Sequence, residues 1–349
     1  MSPVPEPAGP AGAAVKSAAR GGITARPPRV FVADGGDPRL LPVPSVVVYR
    51  VGTGEHQQTG VLVEVAVDDY RRGLVRRHEA TRPEQEREIA RLTEGSGLER
   101  APVTLAHPAR PDLTAVVEDT TARAPNLQVS CDGLTHAVWT RQDPEALRAV
   151  FAELGGLEAL YIADGHHRMA AAERRSVSGG SAFTLAALFP SEQMRVFGYH
   201  RLVPRPDQST SDVLAGLAQQ PAVARIEHRQ RPPRPEPGAV AMVLDGAWYR
   251  VQLRTLRDPA DVRARLDVVQ LDENVLPRIS PAPPTAVSGC CAPSELAQRC
   301  EREGGVGFLL HPPTVEQITA VADAGQVLPA KSTWFDPKTS SGLFLREIT

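Results

Sequence analysis

The 349-residue chain has no apolar run of about eighteen residues, so nothing in it reads as a membrane-spanning helix. Its first residues lack the charged-then-apolar order of a secretion signal, and the expected compartment is the cytoplasm. Cysteine is sparse. Cys131, Cys290, Cys291 and Cys300 form no C-x-x-C pair, which argues against a zinc site or a disulfide framework, and Cys290-Cys291 between Gly289 and Pro293 reads as loop filler. Aromatic residues make up only 5% and the net charge is -2. With no basic stripe interleaved with aromatics and no evident helix-turn-helix segment, the composition argues against nucleic acid as a partner. No internal repeat is evident. What the chain does have is 42% apolar residues, enough for a real core, and a length that suits two domains or one large α/β unit with additions.

Residues 1–28 are mostly Ala, Gly, Pro and Ser and read as a disordered N-terminal tail. Residues 29–349 read as a single elaborated α/β unit, with a candidate sub-boundary at the proline- and arginine-rich stretch near 229–238. Strands are expected at 30–33, 45–51 and 61–67, the last two forming a hairpin, and at 113–117, 127–130 and 133–139. Further strands are expected at 159–163, 183–189, 196–203 and 307–310, with a hairpin over 240–253 that turns at Asp245-Gly246. Helices are expected after Thr81, from Asp143-Pro144 to about Leu154, from about Met169, over 208–220 and 266–276, and from Val315 to about Ala322.

The stretch with the densest chemistry is Leu160-Tyr161-Ile162-Ala163-Asp164-Gly165-His166-His167-Arg168-Met169. A short apolar strand leads through a glycine turn into an alanine-rich helix. The first N–H groups of that helix have no partner within it, and its dipole favours negative charge there. Gly165 permits a tight turn, and Arg168 can grip a phosphate or carboxylate with two parallel hydrogen bonds. Two other polar clusters lie far away in the chain. His78, Glu79, Thr81 and Arg82 stand at or just before a helix start marked by Pro83, where Thr81 can cap. Lys331, Ser332, Thr333 and Lys338 surround Trp334 and Phe335 and could enclose a phosphate, with an aromatic beneath a ring. His200 and Arg201 alternate faces on a strand, so one of them can point at the same site.

Tyr161-Ile162-Ala163-Asp164-Gly165-His166-His167-Arg168, Asp69-Tyr70 with His78-Glu79-Ala80-Thr81-Arg82, and Lys331-Ser332-Thr333-Trp334-Phe335-Asp336-Pro337-Lys338 with Ser341-Gly342-Leu343 resemble the bacterial domain of unknown function 1015 family. Leu266-Asp267-Val268 with Glu273-Asn274-Val275-Leu276, and Phe308-Leu309-Leu310 before Thr314-Val315, match weaker patterns of that family. The turn at Asp164 is also similar to the phosphate-binding turn of the ParB/sulfiredoxin-like fold, which includes free-serine kinases. That resemblance implies a mixed sheet with a nucleotide turn at 164–168, additional strands, and a C-terminal segment packed over the cleft. It implies Asp164 as a catalytic aspartate, with Gly165, His166, His167 and Arg168 on the phosphates. Glu79 is the candidate for the upstream catalytic glutamate by order and chemistry.

The expected activity is therefore transfer of a phosphate from ATP or ADP to the hydroxyl of a small metabolite, free serine or a related amino acid. Lys331, Ser332, Thr333 and Lys338 would assist on the phosphates, and His78, Thr81, Arg82 and His200 would face the substrate. Asp164 or Glu79 would accept the hydroxyl proton or hold Mg²⁺ through water, with no metal bound by the protein directly. Two other readings stay open. One is a nucleotide-binding regulatory or DNA-associated module without turnover. The other is a metal-dependent hydrolase or phosphatase built on His166, His167 and Asp164, with His78 or His200 as a further ligand, against which stands the tendency of adjacent histidines on one turn to point apart.

Overall fold

Val46-Val47-Val48-Tyr49 offers apolar side chains to both faces of a strand, which suits a sheet covered on both sides. The computed structural model, which describes residues 22–33, 35–256 and 260–348, contains such a sheet. Among these residues it has nine strands: β1 (Ala25–Arg26), β2 (Val46–Gly52), β3 (Gln57–Ala66), β4 (Val75–Arg76), β5 (Val103–His107), β6 (Leu127–Cys131), β7 (Leu134–Arg141), β8 (Leu160–Asp164) and β9 (Phe183–Pro190). Their spatial order is β4-β8-β5-β9-β3-β2-β7-β6, with β1 against β3. β8 runs parallel to β4 and β9 parallel to β5, while the other pairs are antiparallel. The protein is thus an α/β fold on a mixed sheet. Along β2 the two-residue period divides the core: Val46 and Val48 pack with Leu105, Ile162 and Met169, whereas Val47, Tyr49 and Val51 pack with Phe189, Phe335 and Phe344.

Besides a short helix at Val67–Arg71, four longer helices flank the strands before residue 180: α1 (Pro83–Ser96), α2 (Pro111–Thr121), α3 (Pro144–Gly155) and α4 (His166–Val177). Asp143 caps α3 by accepting the Glu145 N–H, as its Asp-Pro-Glu start suggests. Residues 113–117, expected as a strand, are helical in α2. Pro111 stands in its first turn, and Leu113, Val117 and Thr120 are buried at spacings of four and three, the period of a helix face rather than of a strand. Helix α4 begins three residues earlier than its alanine run suggests, so His166, His167 and Arg168 lie in its first turn. Residues 22–28, read with the disordered tail, are ordered: Ile23 is buried and β1 extends the sheet, because β3 offers Val65 and Glu64 as pairing partners. The rest of that expectation, residues 1–21, lies outside the described residues.

A second sheet holds six strands among the described residues: β10 (His200–Pro204), β11 (Val223–Arg229), β12 (Ala239–Leu244), β13 (Ala247–Leu253), β14 (Thr285–Val287) and β15 (Gly305–Leu309). It is antiparallel throughout, in the order β11-β13-β12-β15-β10-β14. The hairpin between β12 and β13 turns at Asp245 and Gly246, both with positive φ (48° and 76°), as a tight two-residue turn requires. The stretch near 229–238 links two strands of this one sheet, so the candidate sub-boundary falls within it. The strand expected over 196–203 is two strands. Arg195–Gly198 pairs with Thr333–Asp336, and after Tyr199 the chain enters β10.

The C-terminal segment packs against the first sheet as part of a separate small sheet. Phe344–Glu347 pairs with Phe31–Val32 and with Leu98–Glu99. There Arg346, 2% exposed, reaches Glu64 (3.1 Å) and Glu99 (3.2 Å), and Arg175 also binds Glu99 (2.6 Å). No described helix is long and apolar enough to cross a membrane. Glu99→Gln leaves two buried guanidinium groups short of their counter-charge, and urea unfolding should record a loss of about 3–5 kcal/mol.

Candidate functional site

At the end of β8 the chain turns through Gly165 into α4. Gly165 has φ +95°, and a Cβ there would stand 2.7 Å from Arg168 Nε, so the turn needs glycine both for its backbone and for the guanidinium folded across it. Arg168 is ion-paired with one oxygen of Asp164, and Lys338 Nζ donates to the other at 3.0 Å. Burial alone would raise the Asp164 carboxyl, but the charges of Arg168 and Lys338 outweigh it and hold the group below the usual carboxylate range. Lys338 also lies over the Trp334 ring (4.4 Å), Trp334 packs against Tyr199 (5.6 Å), and Lys331 Nζ is 5.7 Å from the Tyr199 ring. Burial, with the charges of Glu79 and Asp164, pushes the Tyr199 hydroxyl up to about 12.

Residues 78–79 run beside Leu328, whose N–H donates to the His78 carbonyl (2.8 Å), and this brings the residue-79 and residue-331 segments to one rim. Burial raises the Glu79 carboxyl, more than the Lys331 backbone N–H and ammonium lower it. Beneath the rim, His78 and His166 meet edge-on with ring centres 4.5 Å apart. Burial lowers both, His78 to about 4 and His166 well below the imidazole range, so both are neutral near pH 7. His78 Nε2 pairs with Thr333 Oγ1 at 2.8 Å, while His166 Nε2 has no protein partner. His167 Nε2 accepts the Arg82 N–H at 3.0 Å, which ties the start of α1 to the start of α4.

These groups enclose a cavity of about 460 Å³. Of the residues expected at the site, Glu79, Arg82, Asp164, Gly165, His166, His167, Arg168, Lys331, Thr333 and Lys338 line it. Four do not. His78 lies below it. Thr81, expected as a cap, gives its hydroxyl to Glu86 instead (2.6 Å), and α1 has no side-chain cap. Ser332 is buried and donates to the Pro329 carbonyl. His200 belongs to β10, where its Nδ1 accepts the Leu310 N–H (3.2 Å). Tyr199, one residue earlier, lines the cavity in its place, because the break between Gly198 and His200 frees it from either sheet. Four cations, Arg82, Arg168, Lys331 and Lys338, face two carboxylates, an excess of positive charge at an open helix N-terminus. Lysine is rare here: of Lys16, Lys331 and Lys338, two stand at this rim. A second cavity of about 600 Å³ shares Ile89 and Arg168 with the first and is walled by Leu92 and Leu98. No three His, Cys, Asp or Glu side chains gather as a metal-binding group among the described residues.

The profile of the family described as "Protein of unknown function (DUF1015)" matches residues 40–271. The chain belongs to this family. The DUF1015 match spans the Asp164 turn and the Glu79 cluster and stops before the lysine-bearing segment. Several solved structures are similar to the chain, among them three at 14% identity each. SbnI with a C-terminal truncation, from Staphylococcus aureus, has a TM-score of 0.46 over 80% of this chain and 85% of that one. A free serine kinase mutant in complex with AMP has a TM-score of 0.42 over 81% and 91%, and a conserved hypothetical protein from Pyrococcus furiosus 0.39 over 81% and 94%. No curated protein matches by sequence.

The buried imidazoles make the fold acid-sensitive. His78 is neutral in the folded chain down to about pH 4, whereas an unfolded histidine takes up its proton near 6.5. The unfolded state therefore binds more protons between these values, and stability falls as pH drops through that window. Urea unfolding at a series of pH values should show that His78→Asn removes roughly 3 kcal/mol of the loss between pH 6.5 and 4.

Proposed function

We propose that the protein is a kinase that transfers a phosphate from ATP or ADP to the hydroxyl of a small metabolite, with free serine or a related amino acid as the acceptor. The observation that carries this reading is the convergence of Arg168, Lys331 and Lys338 on an open helix N-terminus, in one cavity with the half-buried carboxyl of Glu79. Phosphoryl transfer asks chiefly for charge neutralisation and in-line positioning. The first-turn N–H groups of α4 and the three cations would hold the phosphates. Glu79, whose carboxyl is raised by burial and so holds a proton more readily than an exposed glutamate, suits acceptance of the hydroxyl proton. Asp164, ion-paired on both oxygens, would serve to fix Arg168 and Lys338. Arg82 at the rim suits the carboxylate of an amino acid.

The adjoining apolar cavity has room for the nucleoside. Mg²⁺ fits this donor set as a minority partner: Glu79 could reach it through water, with phosphate oxygens as the remaining ligands, and it would neutralise phosphate charge. One observation favours a second reading, a nucleotide-binding module without turnover. The double ion pair on Asp164 leaves that carboxylate unavailable for proton transfer.

Purified protein mixed with Mg²⁺, ATP or ADP, and serine, threonine or homoserine should give a new phosphate-ester signal in phosphorus NMR. Glu79→Gln should slow its appearance by about a hundred- to ten-thousand-fold. Saturable nucleotide binding that needs Arg168, without any ester, would select the second reading. Absence of both would sink the kinase proposal.

A further inference from the structure

Leu266-Asp267-Val268 and Glu273-Asn274-Val275-Leu276 take no part in lining the cavity. Between these patterns lies Asp272, in a π-helical turn over Leu271–Val275, an irregularity frequent at functional sites. Both Asp272 oxygens accept from Arg201, from Nε at 2.9 Å and from Nη2 at 2.8 Å. Arg201 is 1% exposed, and its remaining nitrogen, Nη1, donates to the Lys331 carbonyl at 2.9 Å. Lys331 is held at φ +58°, in the left-handed region that favours glycine. A lysine stays in that region only where its surroundings over-determine it. Here the carbonyl of the residue is held by Arg201, and its backbone lies by the Glu79 carboxyl, whose charged form it favours.

We propose that the Asp272–Arg201 pair is a positioning device that aims the Lys331 ammonium into the cavity and so sets its affinity for phosphate from outside. This rests on the reading of the cavity as a phosphate site. A guanidinium suits the task because its planar fork takes a carboxylate with two nitrogens and leaves a third donor in a fixed direction. The device joins the second sheet, through β10, to the C-terminal segment that covers the first.

Calorimetric titration with pyrophosphate tests the proposal on wild type, Lys331→Ala, Asp272→Asn, Asp272→Glu and the double variant Lys331→Ala/Asp272→Asn. Lys331→Ala and Asp272→Asn should each weaken binding about tenfold. The double variant should bind no worse than Lys331→Ala, because the pair acts through that lysine. Asp272→Glu should recover much of the affinity. If Asp272→Asn does not fold, Arg201→Lys, which keeps the charge but not the fork, replaces it with the same expectation. Wild-type affinity in Asp272→Asn, or a double variant weakened by the product of the two single effects, overturns the positioning role. Absence of pyrophosphate binding by wild type overturns the phosphate-site reading itself, and the proposal with it.

Discussion

The Asp164 carboxylate joins two parts of the chain that are far apart in sequence. Arg168 on the helix behind it and Lys338 on the C-terminal segment each take one of its oxygens. Buried without them, the carboxyl would be pushed towards its neutral form; with them it stays charged. The same two contacts fold the guanidinium across Gly165 and bring a lysine to the start of α4. One anion thus organises the cations that make the cavity attractive to another anion.

That arrangement requires the C-terminal segment to stay in place, and the segment is fastened at several points. Gln58 donates to the Pro337 carbonyl at 2.9 Å, and the Arg346 guanidinium is enclosed by Glu64 and Glu99. Buried ion pairs of this kind add little net stability compared with an apolar core, but they tolerate few alternative arrangements. Phe335 and Phe344 supply the apolar part of the anchorage against Tyr49 and Phe189. Beneath the charged rim, His78 and His166 remain neutral, so the floor of the cavity adds no charge to the positive excess above it.

Much of this was legible beforehand, because the signals were local. A strand, a glycine and an alanine-rich helix around Asp164 identify a turn whatever the rest of the chain does. The paired β-branched runs at 45–51 and 61–67, and the hairpin at Asp245-Gly246, carry their period and turn chemistry within a few residues. Expectations failed where a neighbour decided the outcome. Residues 113–117 are apolar enough for a strand but share a buried helical face with Thr120. Tyr199 and His200 exchanged roles because the chain changes sheets between Gly198 and His200, an event that depends on Thr333–Asp336 and on β15. Thr81 found a carboxylate partner in place of the backbone N–H it was expected to cap.

The sequence by itself determined most of the elements, the glycine turn and the identity of the charged groups, since these follow from residue type and spacing along a few positions. Only the tertiary structure decided that residues 79, 164, 331 and 338 share one cavity and that Asp164 is held between two cations. It also decided that Asp272, through Arg201, reaches the backbone of Lys331. The reason is that electrostatic and hydrogen-bond partners are chosen by proximity in three dimensions, and sequence separation carries no information about that distance.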